Sequence, residues 1–107
     1  MFVSSHKLQF ESSPWRSHPF VKLFRVGTCE GQWFATAAAY HILSIDNDSP
    51  GNGHLDDVFE WFEQTCRRDG KALIIMEFFN QRFKDHCIQK RGFTPVSGTD
   101  HVIKVFI

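Results

Sequence analysis

Two hydrophobic periods follow one another between residues 54 and 78, and together they restrict the fold strongly. Apolar residues first recur at the spacing of one helix face, at Leu55, Phe59, Phe62 and Cys66. Gly70 ends that pattern, and the continuous apolar run Ala72–Met76 follows it. Such a run is typical of a strand buried on both faces. A helix leading into a buried strand predicts an α/β or α+β domain built on a central sheet.

A second helix and one or two closing strands are predicted after this strand. Asn80 can cap a helix that runs to about Arg91, and Gly92 closes it. Short strands are expected over Thr94–Val96 and Val102–Phe106. Residues 54–107 therefore predict a helix–strand–helix–strand unit.

The first half of the chain predicts a β-hairpin and a loop. Phe20–Val26 alternates as a strand does, and Gly27–Gly31 has the glycines of a turn. We expect Gln32–Ile45 to form one long strand, with room for a bulge. Asp46–Gly53 is the strongest loop signal in the chain.

A chain of 107 residues has the length of one domain. We expect residues 1–20 to form an irregular N-terminal arm, in which Lys7–Glu11 alternates as an edge strand does. The hairpin and loop take residues 21–53, and the helix–strand–helix–strand unit takes the rest.

Charge and cysteine usage restrict the class of protein. The formal net charge is zero, so no global attraction to nucleic acid or to a membrane is implied. Residues 45–63 hold six acidic residues without a Lys or Arg, whereas residues 67–91 hold seven basic residues against three acids. Such blocks are typical of solvated helix faces, and the alternative is a local anion site. Three cysteines without a CxxC pair favour a reducing compartment.

No long apolar run precedes residue 20, so neither a signal peptide nor a membrane helix is expected. A cytoplasmic location is the resulting expectation. For a viral source, the same expectation becomes the host cytoplasm or the virion.

The segment NQRFKDHCIQKRGF, from Asn80 to Phe93, resembles the final conserved helix of GNAT N-acetyltransferases. In that family a strand ends near an Asn, a helix follows, and a Gly-Phe pair opens the last strand. Residues 70–77 resemble the family's fifth strand, and Leu55–Arg68 resembles the helix that faces acetyl-CoA. The resemblance covers about half of the chain and implies a GNAT-like mixed sheet with acetyl-CoA as cofactor.

The resemblance also implies a pyrophosphate-binding loop before the first helix. The family motif is (Arg or Gln)-x-x-Gly-x-(Gly or Ala), whose backbone N–H groups wrap the phosphates at a helix N-terminus. Here the loop would bind through Gly51, Asn52 and Gly53, while Asn80 would contact the cofactor arm. Asp48 stands where the family has Arg or Gln.

Family chemistry is direct attack of an amine on a thioester, which needs a base and an acid. The implied bases are His41 and Asp46, with Tyr40 as a polar partner. The usual tyrosine acid falls on Ile88, which has no proton to donate, so His86 is the substitute. The expected partner is then an amine acceptor.

Three other site chemistries are weaker on sequence grounds. Cys29 in a glycine-rich turn suggests an exposed thiol rather than a nucleophile. Adjacent His86 and Cys87 lack zinc spacing, so no metal site is expected. The basic face of the last helix could touch phosphates, but zero net charge makes a nucleic-acid partner unfavourable.

The remaining alternative is a non-catalytic GNAT-fold protein, such as a small phage virion or accessory protein. Residues 1–45 are too few for the two N-terminal helices that usually shape the acceptor groove in the family. The abundance of aromatic residues would suit a surface buried against a protein partner or in a homo-oligomer.

Overall fold

The computed structural model describes residues 9–11, 20–27, 29–47, 53–77 and 81–106. Within them lie seven strands and two helices. Their bounds are β1 Gln9–Glu11, β2 Lys22–Val26, β3 Cys29–Ala35, β4 Ala39–Asn47, α1 His54–Asp69, β5 Ala72–Ile75, α2 Gln81–Lys90, β6 Thr94–Pro95 and β7 Val102–Lys104. The predicted class, a mixed sheet with two helices, is confirmed.

The strands form one sheet in the order β1-β2-β3-β4-β5-β7-β6. Neighbouring strands are antiparallel except for β4 and β5, which run parallel and are joined through α1. Parallel neighbours need such a crossover, because a tight hairpin can join only antiparallel strands. The sheet is therefore a four-stranded meander that meets a three-stranded unit at one parallel seam.

The prediction of one long strand over Gln32–Ile45 is wrong, because a tight turn divides that segment into β3 and β4. The Thr36 N–H donates to the Ala39 carbonyl at 2.9 Å, and the Thr36 hydroxyl accepts from the Ala39 N–H at 3.2 Å. A threonine hydroxyl can supply turn hydrogen bonds without Gly, Pro or Asn. Alanines flank Thr36, so no residue pattern marks this turn in the sequence. The segment predicted as a hairpin is therefore part of a meander.

The turn between β2 and β3 is also shorter than predicted. β3 begins at Cys29, and Gly27 adopts a left-handed conformation with φ of 57°. The Cys29 side chain is fully buried, so the expectation of an exposed turn cysteine is wrong. Strand alternation explains this, because Cys29 pairs with Val26 on the core side of the sheet.

Both helices pack on the same face of the sheet, called here the helix face. Residues on that face are completely or almost completely buried, among them Phe24, Trp33, Ile42, Leu73, Ile75 and Val102. The other face carries no helix in the part of the chain that the structure describes, and it is called here the open face. Leu73 and Ile75 are buried, but Ala72 and Ile74 are only half-buried. The prediction of a strand buried on both faces is therefore wrong for β5.

Two glycines set the ends of α1. Gly53 and Gly70 both have left-handed backbone angles, and the Gly70 N–H donates to the Cys66 carbonyl. Val58, Phe59 and Phe62 are fully buried on the helix face. The predicted helix and its glycine stop are confirmed.

Candidate functional site

The parallel seam between β4 and β5 is paired over only part of β4. Ala39–Ile42 lies opposite Ala72–Ile75, and the last backbone bond runs from the Met76 N–H to the Ile42 carbonyl at 2.8 Å. Among the described residues, Leu43–Asn47 pairs only with β3. Pairing between the two strands therefore ends at Ile42, and no described strand pairs with the β5 side of β4 beyond that residue. This edge of Leu43–Asn47 is called the slot.

A β-bulge lies at the point where the slot begins. Gln32 pairs with Ser44, whereas the next residue of β3, Trp33, pairs with Ile42, so Leu43 is the extra residue. One extra residue reverses the side-chain alternation beyond it. His41 and Asp46, five positions apart, therefore both lie on the open face, where an uninterrupted strand would have put them on opposite faces.

The two predicted bases share a face but do not converge. Their partners on β3, Phe34 and Glu30, are four residues apart, which corresponds to about 13 Å along a strand. Asp46 is exposed, whereas His41 is half-buried. His41 is the one that lies immediately before the bulge.

The His41 ring is held by its neighbours across the β3–β4 turn. It stacks on Phe34 with ring centroids 4.4 Å apart, and the Thr36 hydroxyl oxygen lies 3.2 Å from Nε2. Nδ1 is buried without a hydrogen-bond partner. Burial, with His101 nearby, lowers the pKa of His41 below its usual 6.5. The ring is therefore neutral at pH 7, as a proton acceptor must be.

The sequence suggested Tyr40 as a polar partner of His41. The structure does not pair them, because adjacent strand residues point to opposite faces of the sheet. The Tyr40 hydroxyl donates to Asp69 Oδ2 at 2.5 Å on the helix face. Thr36 is the partner that sequence reasoning missed. A threonine five residues before a histidine matches no sequence motif, and only the β3–β4 turn brings Thr36 and His41 together.

The candidates on α2 are separated from the open face by the sheet. His86 is exposed on α2, and Cys87 is fully buried, with burial raising the pKa of its thiol to about 12. Ile88, at the position of the family's tyrosine, packs against the core. The structure therefore does not bring His86 next to His41.

The N-terminus of α1 lies at the end of the loop that follows β4. Gly53 occupies the N-cap position and has no side chain that could cap the helix. Its carbonyl accepts a hydrogen bond from the Asp57 N–H at 3.1 Å. Asp56 forms an ion pair with Arg91, whose guanidinium lies 4.2 Å from the centre of the Phe59 ring. Arg91, which the sequence did not single out for this role, thus offsets one of the carboxylates at this helix start.

Several predicted site residues lie outside the described part of the chain. They are Asp48, Gly51, Asn52 and Asn80. Gly53 alone represents the predicted phosphate loop. Two side chains of the predicted basic face are already paired, because Lys84 lies 3.4 Å from Asp100 and Arg91 contacts Asp56.

The described residues contain no cluster of three or more His, Cys, Asp or Glu side chains arranged to hold a metal ion. Nor do they contain a helix long and apolar enough to cross a membrane. No protein-family model, no curated protein and no solved structure matches this chain.

Proposed function

We propose that this chain is a GNAT-like, acetyl-CoA-dependent N-acyltransferase that binds its cofactor in the slot between β4 and β5. The observation that carries the proposal is that pairing between the parallel strands β4 and β5 ends at a bulge, before the loop and helix that the family resemblance assigns to the cofactor. An unpaired strand edge inside a sheet presents N–H and C=O groups to an extended ligand.

The residues present fit such a cofactor in two places. The edge of Leu43–Asn47 can bond to the amide groups of the cofactor arm, as an added strand would. The N-terminus of α1 follows the loop that the resemblance assigns to the pyrophosphate, and a helix N-terminus suits an anion. Acetyl-CoA would supply the activated acyl group as a thioester.

His41 is the base that the geometry favours. It lies on the open face beside the bulge, its lowered pKa keeps the ring neutral, and the Thr36 hydroxyl holds the ring through Nε2. Asp46 lies farther along β4, so we assign it no role in proton transfer. The acid for the leaving thiolate has no side-chain candidate on α2 near His41, and solvent supplies that proton in this proposal.

The second candidate function is a non-catalytic protein of the same fold. The observation favouring it is Ile88, which packs into the core at the position where the family has its tyrosine acid. Such a protein would keep the sheet and α1 without turning over a thioester. Binding and turnover must therefore be measured separately.

Binding is tested by titrating acetyl-CoA in a calorimeter and by thermal shift, with ADP as a control that shares only the pyrophosphate end. Acetyl-CoA at 100 times its dissociation constant should raise the free energy of unfolding by about 2.7 kcal/mol. No shift at millimolar acetyl-CoA, or an equal shift with ADP, would remove the slot from consideration.

Turnover is tested by following release of free thiol from acetyl-CoA in the presence of primary amines. Because only neutral His41 can accept a proton, the rate should fall as pH drops through the pKa of His41, which burial lowers below its usual 6.5. His41→Gln should lose turnover but still bind acetyl-CoA, whereas His86→Gln should keep both. Binding without turnover in the unmodified protein would establish the non-catalytic alternative.

A further inference from the structure

A row of mostly apolar side chains crosses the open face at the level of the seam. Cross-strand pairing places Phe34, His41, Ile74, Ile103 and Thr94 side by side, one each from β3, β4, β5, β7 and β6. All except Thr94 are half-buried, although no described helix covers them. Four strand spacings give this row, called here the apolar row, a length of about 19 Å.

Two exposed apolar side chains extend the apolar row. Phe20 contacts the Phe34 ring edge-on, with ring centroids 5.7 Å apart, and is 57% exposed. Val105 follows Ile103 by two positions and is 63% exposed. A single exposed apolar side chain is ordinary, but a contiguous group of them marks a surface that binds another molecule.

The centre of this surface carries no charged side chain within the described residues. Gln32, Ala72 and Met76, which stand two positions along the chain from members of the row, are uncharged as well. The acids Glu30 and Asp46 pair with each other in register four residues from Phe34, which is about 13 Å along the strand. Depletion of charge at the centre is typical of the core of a protein–protein interface.

The apolar row is nearly symmetrical about the seam, so it can pack against a second copy of itself. A two-fold axis that runs along the seam lays Phe34 of one copy over Ile103 of the other, and His41 over Ile74. The same axis places the acids of β3 and β4 over β5 and β7 of the other copy. Like charges are therefore not opposed.

The open face is large enough for a stable dimer. The molecule measures 34 × 31 × 28 Å and exposes 6594 Å². One of the six sides of such a block holds about 1,100 Å², whereas an interface of standard size needs about 800 Å² from each partner. A second copy can thus bury the area that dimerisation requires without using the helix face.

We propose that two copies of this chain join open face to open face, with the apolar row at the centre of the interface. The two sheets then form a sandwich, separated by about 10 Å as packed sheets are. Dimerisation does not rest on the proposed function, but one consequence does. Because the dimer covers His41 in both copies, it is the inactive form of the proposed transferase, and turnover per chain should fall as the chain concentration rises.

Sedimentation equilibrium of the full chain over a dilution series tests the dimer. The average mass should rise from that of one chain to that of two, and no further. Phe20→Glu and Ile103→Glu each place a charge in the extended row, and each occurs twice in a symmetric dimer. Either should raise the dissociation constant at least about tenfold, as the loss of one good apolar contact does.

Phe10→Glu is the matched control, because Phe10 is also an exposed phenylalanine, at 40%, but lies on the helix face beside Trp61. It should leave the dissociation constant unchanged. Thermal melts of dilute samples show whether each variant is folded. Phe20→Ser, a milder change at the same exposed position, replaces any glutamate variant that lacks a melting transition.

The outcomes separate this inference from the proposed function. A single-chain mass at every concentration overturns the dimer, and so does a dimer that survives both glutamate variants or weakens equally in Phe10→Glu. Acetyl-CoA binding by a chain that never dimerises supports the slot and rejects the dimer. A dimer that depends on Phe20 and Ile103, without any binding of acetyl-CoA, supports the dimer and rejects the transferase.

Discussion

Tyr40 and His41 are adjacent in the chain but take opposite roles because a strand sends successive side chains to opposite faces. The Tyr40 hydroxyl joins the seam to the end of α1 through Asp69, which Arg68 also contacts at 2.9 Å. His41 instead faces the open side beside the bulge. One residue thus secures the paired half of β4, while the next stands at the start of its unpaired half.

The pKa of Tyr40 gives a direct test, because the chain contains a single tyrosine. Burial, followed by the hydrogen bond to Asp69, raises its pKa from 10 to about 12. A raised pKa means that the folded state favours the neutral phenol. The resulting stabilisation is therefore complete below pH 10 and is lost as pH rises towards 12. Absorbance of the tyrosinate during an alkaline titration should show a midpoint near 12 in the folded protein.

The matched variant in that titration is Asp69→Asn, which keeps the packing but removes the charge. It should move the midpoint down towards the usual value without reaching it, because burial remains the larger cause. The chain unfolded in urea should titrate near pH 10. An Asp69→Asn protein with an unchanged midpoint would contradict the importance of this hydrogen bond.

The sequence predicted the burial of a side chain where a local pattern determines it. It did not predict burial that depends on pairing between strands. The face formed by Phe59 and Phe62 follows from helical spacing alone, and both are fully buried. The burial of Cys29 depends on its pairing with Val26, which no local pattern reveals. The same applies to the bulge at Leu43, since it exists only relative to β3.

At the scale of elements, the close contact between β3 and β4 depends on a residue without a side chain. A Cβ at Gly31 would collide with the Ser44 carbonyl oxygen and the Phe24 ring. Backbone atoms cannot move aside without disturbing the register between β3 and β4. Gly31→Ala should therefore cost about 1–3 kcal/mol of unfolding free energy, as overpacking does. Chemical denaturation measures this loss.

Gln32→Ala is the control for that substitution, because Gln32 is next in β3 but faces the open side. It should leave the stability within about 0.5 kcal/mol of the unmodified protein. A comparable loss in both variants would indicate a general sensitivity of β3 rather than a collision at Gly31.

The helices and β2 were predictable to within a residue or two, and β1 is the predicted edge strand, whereas the division of Gln32–Ile45 between β3 and β4 was not predicted. Helix signals are local: α1 has its apolar face, acidic first turn, basic last turn and Gly70 stop within a single segment. The turn from β3 to β4 rests on Thr36 among alanines, so nothing in the sequence marked it. The predicted phosphate loop is represented in the structure by Gly53 only.

At the scale of the whole molecule, two sub-sheets meet at a short parallel seam of four residue pairs. β1–β4 form the meander, and β5, β7 and β6 form the second sub-sheet. Helices α1 and α2 connect the two on one face, where Phe59 contacts both Phe83 and Phe93. The helix face therefore holds the sub-sheets together, while the strand edge at the slot has no partner among the described residues.

Amide hydrogen exchange can test this arrangement along the chain. Amides of Ala39–Ile42 are enclosed by strands on both sides, whereas those of Leu43–Asn47 have a described partner on one side only. The slot-side amides of Leu43–Asn47 should therefore exchange much faster than those of Ala39–Ile42.

Acetyl-CoA at 100 times its dissociation constant should slow exchange of the Leu43–Asn47 amides by up to about 100-fold, because exchange then requires release of the ligand. ADP should protect the first turn of α1 without protecting β4. Protection that spreads evenly over the protein, or that spares Leu43–Asn47, would show that the cofactor does not occupy the slot.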